Sequence, residues 1–123
     1  MVAVIFEGIA NEARKQEYLD IAAELRPLLD SVDGFLSIER FESLYTPGKV
    51  LSLSFWRDAE AVTRWRNLEE HREAQAKGRG YIFDRYRIRV ADVVRDYSGD
   101  DRNEAPEDSL AFHQESAGRG PKD

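Results

Sequence analysis

The feature that most constrains this chain is a change of period at Asp58. Before it, Leu51, Leu53 and Phe55 fall on one face and Ser52, Ser54 and Trp56 on the other, the two-residue repeat of a strand. After it, Ala61, Val62, Trp65, Leu68 and Arg72 recur at three- and four-residue steps, which is one face of a helix. Asp58 has the side chain of an N-cap, and Glu60 puts negative charge in the first turn, where the helix dipole favours it. The stretch from Leu51 to Gln75 is thus a buried strand passing directly into an amphipathic helix. It holds both tryptophans and one of the two histidines, so this corner is the expected wall of any pocket.

The flanking segments supply the rest of the fold. Val2 to Ile9 is apolar on both faces and reads as a strand covered on both sides. Asn11 caps a predicted helix to about Asp30, with Tyr18, Ile21, Ala22, Leu25, Leu28, Leu29 and Val32 as its buried stripe and Pro27 as a kink. Gly34 suits a left-handed stop after it. A second strand is expected over 35–44, followed by a Tyr45-Thr46-Pro47-Gly48 turn in the order that type II prefers. Gly78 and Gly80 should fray the second helix, and 81–97 reads as one long strand, bulged near Ala91-Asp92.

The order β-α-β-β-α-β predicts an α+β, ferredoxin-like protomer: a four-stranded antiparallel sheet with two helices on one face. Two helices cover only one face, yet both faces of the first and third strands carry apolar or aromatic groups, with Trp56 opposite Phe55. Pairing of two sheets in a homodimer removes the exposed patch, giving a dimeric α/β barrel.

Composition narrows the function classes. Without cysteine there is no disulfide, thiolate nucleophile or thiolate metal site, which fits a cytoplasmic location. No apolar run reaches the roughly 20 residues of a membrane span, so no membrane partner is expected. The start MVAVIFEG has no basic region or cleavage site and reads as mature sequence. A net charge of −6 argues against nucleic acid. From Ser98 onward seven acids face three basic residues, in a stretch poor in apolar side chains. The expected division is therefore a domain over 1–97 and an acidic tail over 98–123. In that tail Pro106, Glu107 and Asp108 suit a helix start, and Leu110 and Phe112 are expected to bury against the body or a second subunit.

The early strand VAVIFEG, the segment DSVDGFLSIERFES, the corner SFWRDAEAVTRWRN, the helix EEHREAQAKGR and the strand YRIRVADVVRDY resemble the antibiotic biosynthesis monooxygenase (ABM) domain, over roughly residues 2–97. The resemblance implies a ferredoxin-like protomer that dimerises into an α/β barrel. It also implies a cofactor-independent monooxygenase acting on a small aromatic phenol or quinol. Other members degrade haem, with an Asn on the first strand, a Trp on the second helix and a ligating His about ten residues later. Trp65 matches the Trp, but Gly8 stands at the Asn position and Gln75 at the His position.

The candidate residues carry two readings each. His71, among Glu69, Glu70, Arg72 and Glu73, is either a solvated histidine or the base that takes a substrate proton. Trp65 is either core or pocket wall; Trp56 is either interface packing or pocket wall. Arg85, Arg87 and Arg89, with Arg40 beside them, either pair with acids across the sheet or form an anion site, with Arg87 as stabiliser. Tyr86 is a core tyrosine or a hydrogen-bond donor to substrate, and Asn67 marks a helix irregularity or contacts substrate. No metal ligand set and no cofactor are expected, haem being the remaining alternative. A dimeric small-molecule-binding or stress-associated protein without chemistry is the competing reading.

Overall fold

The computed structural model describes residues 1–68, 72–74, 76 and 82–115. His71, Gln75, the Gly78-Arg79-Gly80 segment and Tyr81 lie outside them. The chain divides into two compact units, Met1–Asp92 and Val93–Asp123.

In the first unit, strands β1 (Val2–Ala10), β2 (Phe35–Glu42), β3 (Lys49–Trp56) and β4 (Phe83–Asp92) form one antiparallel sheet in the order β2-β3-β1-β4. Helices α1 (Lys15–Asp30) and α2 (Ala59–Arg66) complete the split pattern. Asn11 caps the first helical segment by accepting from the Ala13 N–H at 3.1 Å, but that first turn, Glu12–Arg14, is 3-10 before α1 begins. Pro27 is accommodated within α1, and the chain then tightens into three-residue bonds from Ser31 and Val32 to Leu28 and Leu29.

Register decides which side chains face the helices. Val4 pairs with Ser54 and Val90, and Phe6 with Ser52 and Ile88. The even-numbered residues of β1, β3 and β4 therefore share the helix-covered face. There Val2, Leu29, Trp56, Ala61 and Val62 form the core, with Val4, Val32, Phe35, Ile38 and Trp65 packed against it. The other face carries Ile5, Leu51, Leu53 and Phe55, half-buried, together with exposed Phe41. Across it Glu7 pairs with Lys49 at 3.1 Å and Arg89 at 3.4 Å.

Several boundaries differ from the sequence expectation. β4 stops at Asp92, not Tyr97, because Asp92 already pairs with Val2 at the start of β1 and no neighbour remains. Its irregularity lies at the other end, where Ile9 pairs with Arg85 and Ala10 with Phe83, leaving Asp84 as the extra residue. The hairpin turn is Thr46 to Lys49, one residue later than expected, with Gly48 at φ +78° in the third position. The helical stretch expected to run through Arg72 is interrupted: α2 ends at Arg66 with Asn67 as C-cap, and Arg72, Glu73, Ala74 and Ala76 are again helical, the Arg72 N–H donating to the Leu68 carbonyl at 2.9 Å.

In the second unit, α3 (Glu107–Glu115) follows Pro106. Leu110 is half-buried and Phe112 is 61% exposed within the single chain. Two positions apart on a helix is about 200°, so the two apolar side chains cannot share a face.

Candidate active site

The corner that opens the site is held by a clamp. Gly34, at φ +94°, brings its backbone so close to α2 that an added Cβ would lie 2.6 Å from the Cβ of Ala61. The Gly34 carbonyl accepts from the Arg57 N–H at 2.7 Å, and the Arg57 guanidinium grips Asp33 through two bonds of 3.0 and 2.9 Å. The hydrogen bonds from Arg57 hold the Asp33 carboxyl below its ordinary range. Asp58 caps α2 by accepting from the Ala61 N–H at 2.9 Å; that bond, then Arg57, lowers its pKa as well. The β3–α2 junction is therefore fixed from two sides, and with it both tryptophans.

Between this sheet face and the two helices lies a cavity of about 500 Å³. One wall is a tryptophan pair: the rings of Trp56 and Trp65 lie 6.4 Å apart, with Phe35 edge-on to Trp56 at 5.2 Å. The facing wall is a cluster in which Phe83 meets Phe6 at 5.0 Å and Tyr18 at 5.2 Å, while Tyr86 stacks on Phe6 at 6.1 Å. Leu25, Ile38, Val62 and Ile88 fill the apolar surface between them. Ser52 and Ser54 add hydroxyls from β3, and the Trp56 indole already donates to Ser54 Oγ at 2.9 Å.

Of the expected site residues, Trp56, Trp65 and Tyr86 meet on this cavity. Trp56 is 2% exposed and faces the helices, which rules out packing between two open sheet faces. Arg87 lies on the opposite face, opposite Glu7 and away from Tyr86, because successive strand residues alternate. Arg40 is separated from Arg85, Arg87 and Arg89 for the same reason and lines the cavity instead. Asn67 is outside the lining; it caps α2 and accepts a bond from Arg72. His71 is outside the described residues. Phe6, Phe83 and Arg66 carry no site role in the sequence reading, and Tyr18 and Arg72 enter it only as positions on the helix stripes. Phe6 was legible in principle, since it shares the face of Val4 and Gly8 on β1.

Gly8 stands where the haem-degrading members carry an asparagine. A Cβ at Gly8 would lie 2.9 Å from the Phe6 ring and 3.0 Å from that of Phe83, so there is no room for an amide side chain. Among the described lining residues there is no histidine, cysteine or methionine, the oxygen ligands there being Tyr18 and Tyr86; positions 71 and 75 lie outside the described residues. Nor do the described residues contain three acidic, histidine or cysteine side chains grouped for a metal. No described helix is long and apolar enough to cross a membrane.

The fold and cavity define a class: a ferredoxin-like α+β protomer with an aromatic-walled hollow between sheet and helices. Residues 1–77 match the family described as antibiotic biosynthesis monooxygenase. The chain belongs to that family. It is 46% identical over 94 residues to the jasmonate monooxygenase ABM of Pyricularia oryzae, covering 76% of this chain and 44% of that protein. The chain thus spans less than half the length of this relative. It is 32% identical over 93 residues to the uncharacterised protein YqjZ of Bacillus subtilis, covering 76% of this chain and 79% of the relative. A crystal structure from Deinococcus radiodurans superposes with a TM-score of 0.71 at 16% identity, over 80% of this chain and 97% of that one, which establishes the fold.

Proposed function

We propose that this chain is a monooxygenase that oxidises a small aromatic phenol or quinol without metal or organic cofactor. The observation that carries this reading is the cavity of about 500 Å³ walled on both sides by aromatic rings. A planar ring stacks there and is held in one orientation. The substrate supplies the electrons. Loss of the phenolic proton gives an anion that reacts with dioxygen. One oxygen atom becomes the carbonyl opposite the original hydroxyl; the other leaves as water with the phenolic and ring hydrogens. Tyr86, with its ring on the cavity, donates to the developing anion, and His71 takes the proton. The jasmonate monooxygenase relative adds jasmonate to the molecules worth offering.

The test is oxygen uptake with dithranol and a panel of fused-ring phenols that carry hydrogen on the carbon opposite the hydroxyl, in the presence of a chelator and under labelled dioxygen. One labelled atom per product is expected, with the rate falling at least about tenfold in Tyr86→Phe. Uptake no faster than without protein would sink the proposal.

A second reading is a binding protein without chemistry. It is favoured by the separation of Arg87 from the cavity, which removes one expected anion stabiliser. Ligand binding without oxygen uptake would select it. Both readings take the working unit to be a homodimer joined through the open sheet face.

A further inference from the structure

The cavity carries charge of one sign. Among the described residues that line it, the charged side chains are Arg40, Arg66 and Arg72, with no aspartate or glutamate. In a chain with 24 acids against 18 basic residues, an acid-free lining with three guanidinium groups runs against composition. The three come from different places: β2, the last turn of α2, and the segment after it. None is spent in an ion pair with a described residue. Arg66 donates to Thr63 Oγ1 at 3.4 Å and Arg72 to Asn67 Oδ1, both uncharged acceptors.

Polarity is also graded with depth. Leu29, Trp56 and Ile82, at 1%, 2% and 2% exposed, form the floor, while all three arginines are exposed and stand at the rim. A ligand suited to this gradient has an apolar body that loses its water on the floor. Its anionic head stays at the rim, where guanidinium forks can grip a carboxylate through paired bonds. A neutral phenol leaves the three cations without counter-charge; a ring that also bears an acid satisfies both parts of the cavity.

We infer that the cavity selects small ring-bearing molecules that carry a carboxylate, with Arg40, Arg66 and Arg72 forming the head-group site. This names the substrate class of the site proposed above and rests on that cavity being the ligand site.

The test is calorimetric titration under argon, where no oxygenation can occur, with three probes sharing one two-ring body: 1-naphthylacetate, its methyl ester and 1-naphthylmethylammonium. The acid should bind at least about tenfold tighter than the ester, and the cation weakest of all. The acid's advantage should shrink as salt rises from about 20 mM to about 500 mM. In the triple variant R40Q/R66Q/R72Q, checked for an unchanged unfolding midpoint, acid and ester should bind alike. Equal binding of acid and ester to the unmodified protein overturns the inference without reference to any variant. So does failure of all three probes to bind, or a preference that survives in the triple variant. Acid preference without oxygen uptake leaves this inference standing and removes the oxygenase. Oxygenation of neutral phenols without acid preference does the reverse.

Discussion

The indole N–H of Trp56 donates to the Oγ of Ser54, two residues earlier on the same face of β3, at 2.9 Å. Both side chains are buried, and Ser54 Oγ lies 3.5 Å from the Val4 carbonyl. The serine is thus the polar partner that lets a large amphipathic ring sit in an apolar core. Ser54→Ala should cost about 1–3 kcal/mol of stability, because the indole N–H is left without its acceptor. Ser54→Thr keeps the hydroxyl and should recover most of that. Denaturant midpoints for the two variants check this; equal loss in both would point to packing and not the bond.

Two glycines with positive φ should respond differently to the same substitution. Gly48→Ala meets nothing within 4 Å, so only the left-handed backbone opposes it, at about 1–2 kcal/mol. Gly34→Ala adds a contact of 2.6 Å with Ala61 and pushes α2 off the sheet, so its total should exceed that by about 1–3 kcal/mol. Thermal melts of the pair test the ranking, and a Gly34 variant as stable as the Gly48 one would show that α2 moves freely.

Acid should loosen the molecule through three carboxyls. Glu7 is held below its ordinary value of 4.5 by its hydrogen bond with Lys49 and then by the charges of Lys49, Arg89 and Arg87, against a contrary push from burial. Asp33 and Asp58 lie below 3.8 for the reasons given above. The folded chain holds fewer protons on these groups than the unfolded chain does. Their contribution is complete above about pH 5 and is lost as pH falls through the unfolded values towards the lower folded ones. The melting temperature should therefore drop between about pH 5 and pH 3, and less steeply in Glu7→Gln. A variant with the same slope as the unmodified protein would exclude Glu7.

The open sheet face should be a dimer interface. Light scattering after size-exclusion chromatography should give about twice the 14.1 kDa chain mass. Leu53→Lys, in the middle of that face beside Ile5, should give the single-chain mass with unchanged helical circular dichroism. A single-chain mass for the unmodified protein at micromolar concentration would refute the pairing.

Periodicity made most of the fold legible. The two-to-three-and-a-half switch at Asp58 marked the β3–α2 corner, and alternation separated Tyr86 and Ile88 from Arg85 and Arg87 on β4. Alternation did not say which face meets the helices. That depends on register, which pairs Val4 with both Ser54 and Val90, and no local pattern carries it. Alternation therefore leaves Trp56 open between pocket wall and interface, and groups Arg40 with arginines on the opposite side of the sheet. The grouping of the rim arginines is hidden for a related reason: Arg66 looks like an ordinary helix-surface charge and Arg72 like the end of the helix stripe until the third dimension brings Arg40 beside the same hollow.

The crowding around Gly8 has a consequence for how this cavity can change. The rings of Phe6 and Phe83 occupy the space that any side chain at position 8 would need. Positions 6, 8 and 83 are therefore one locus in three places along the chain. A larger residue at 8 becomes tolerable only when one ring shrinks, so their effects should be strongly non-additive. A library varying one of them at a time would miss the combinations that reshape the hollow, while one varying them together would reach them in a single step.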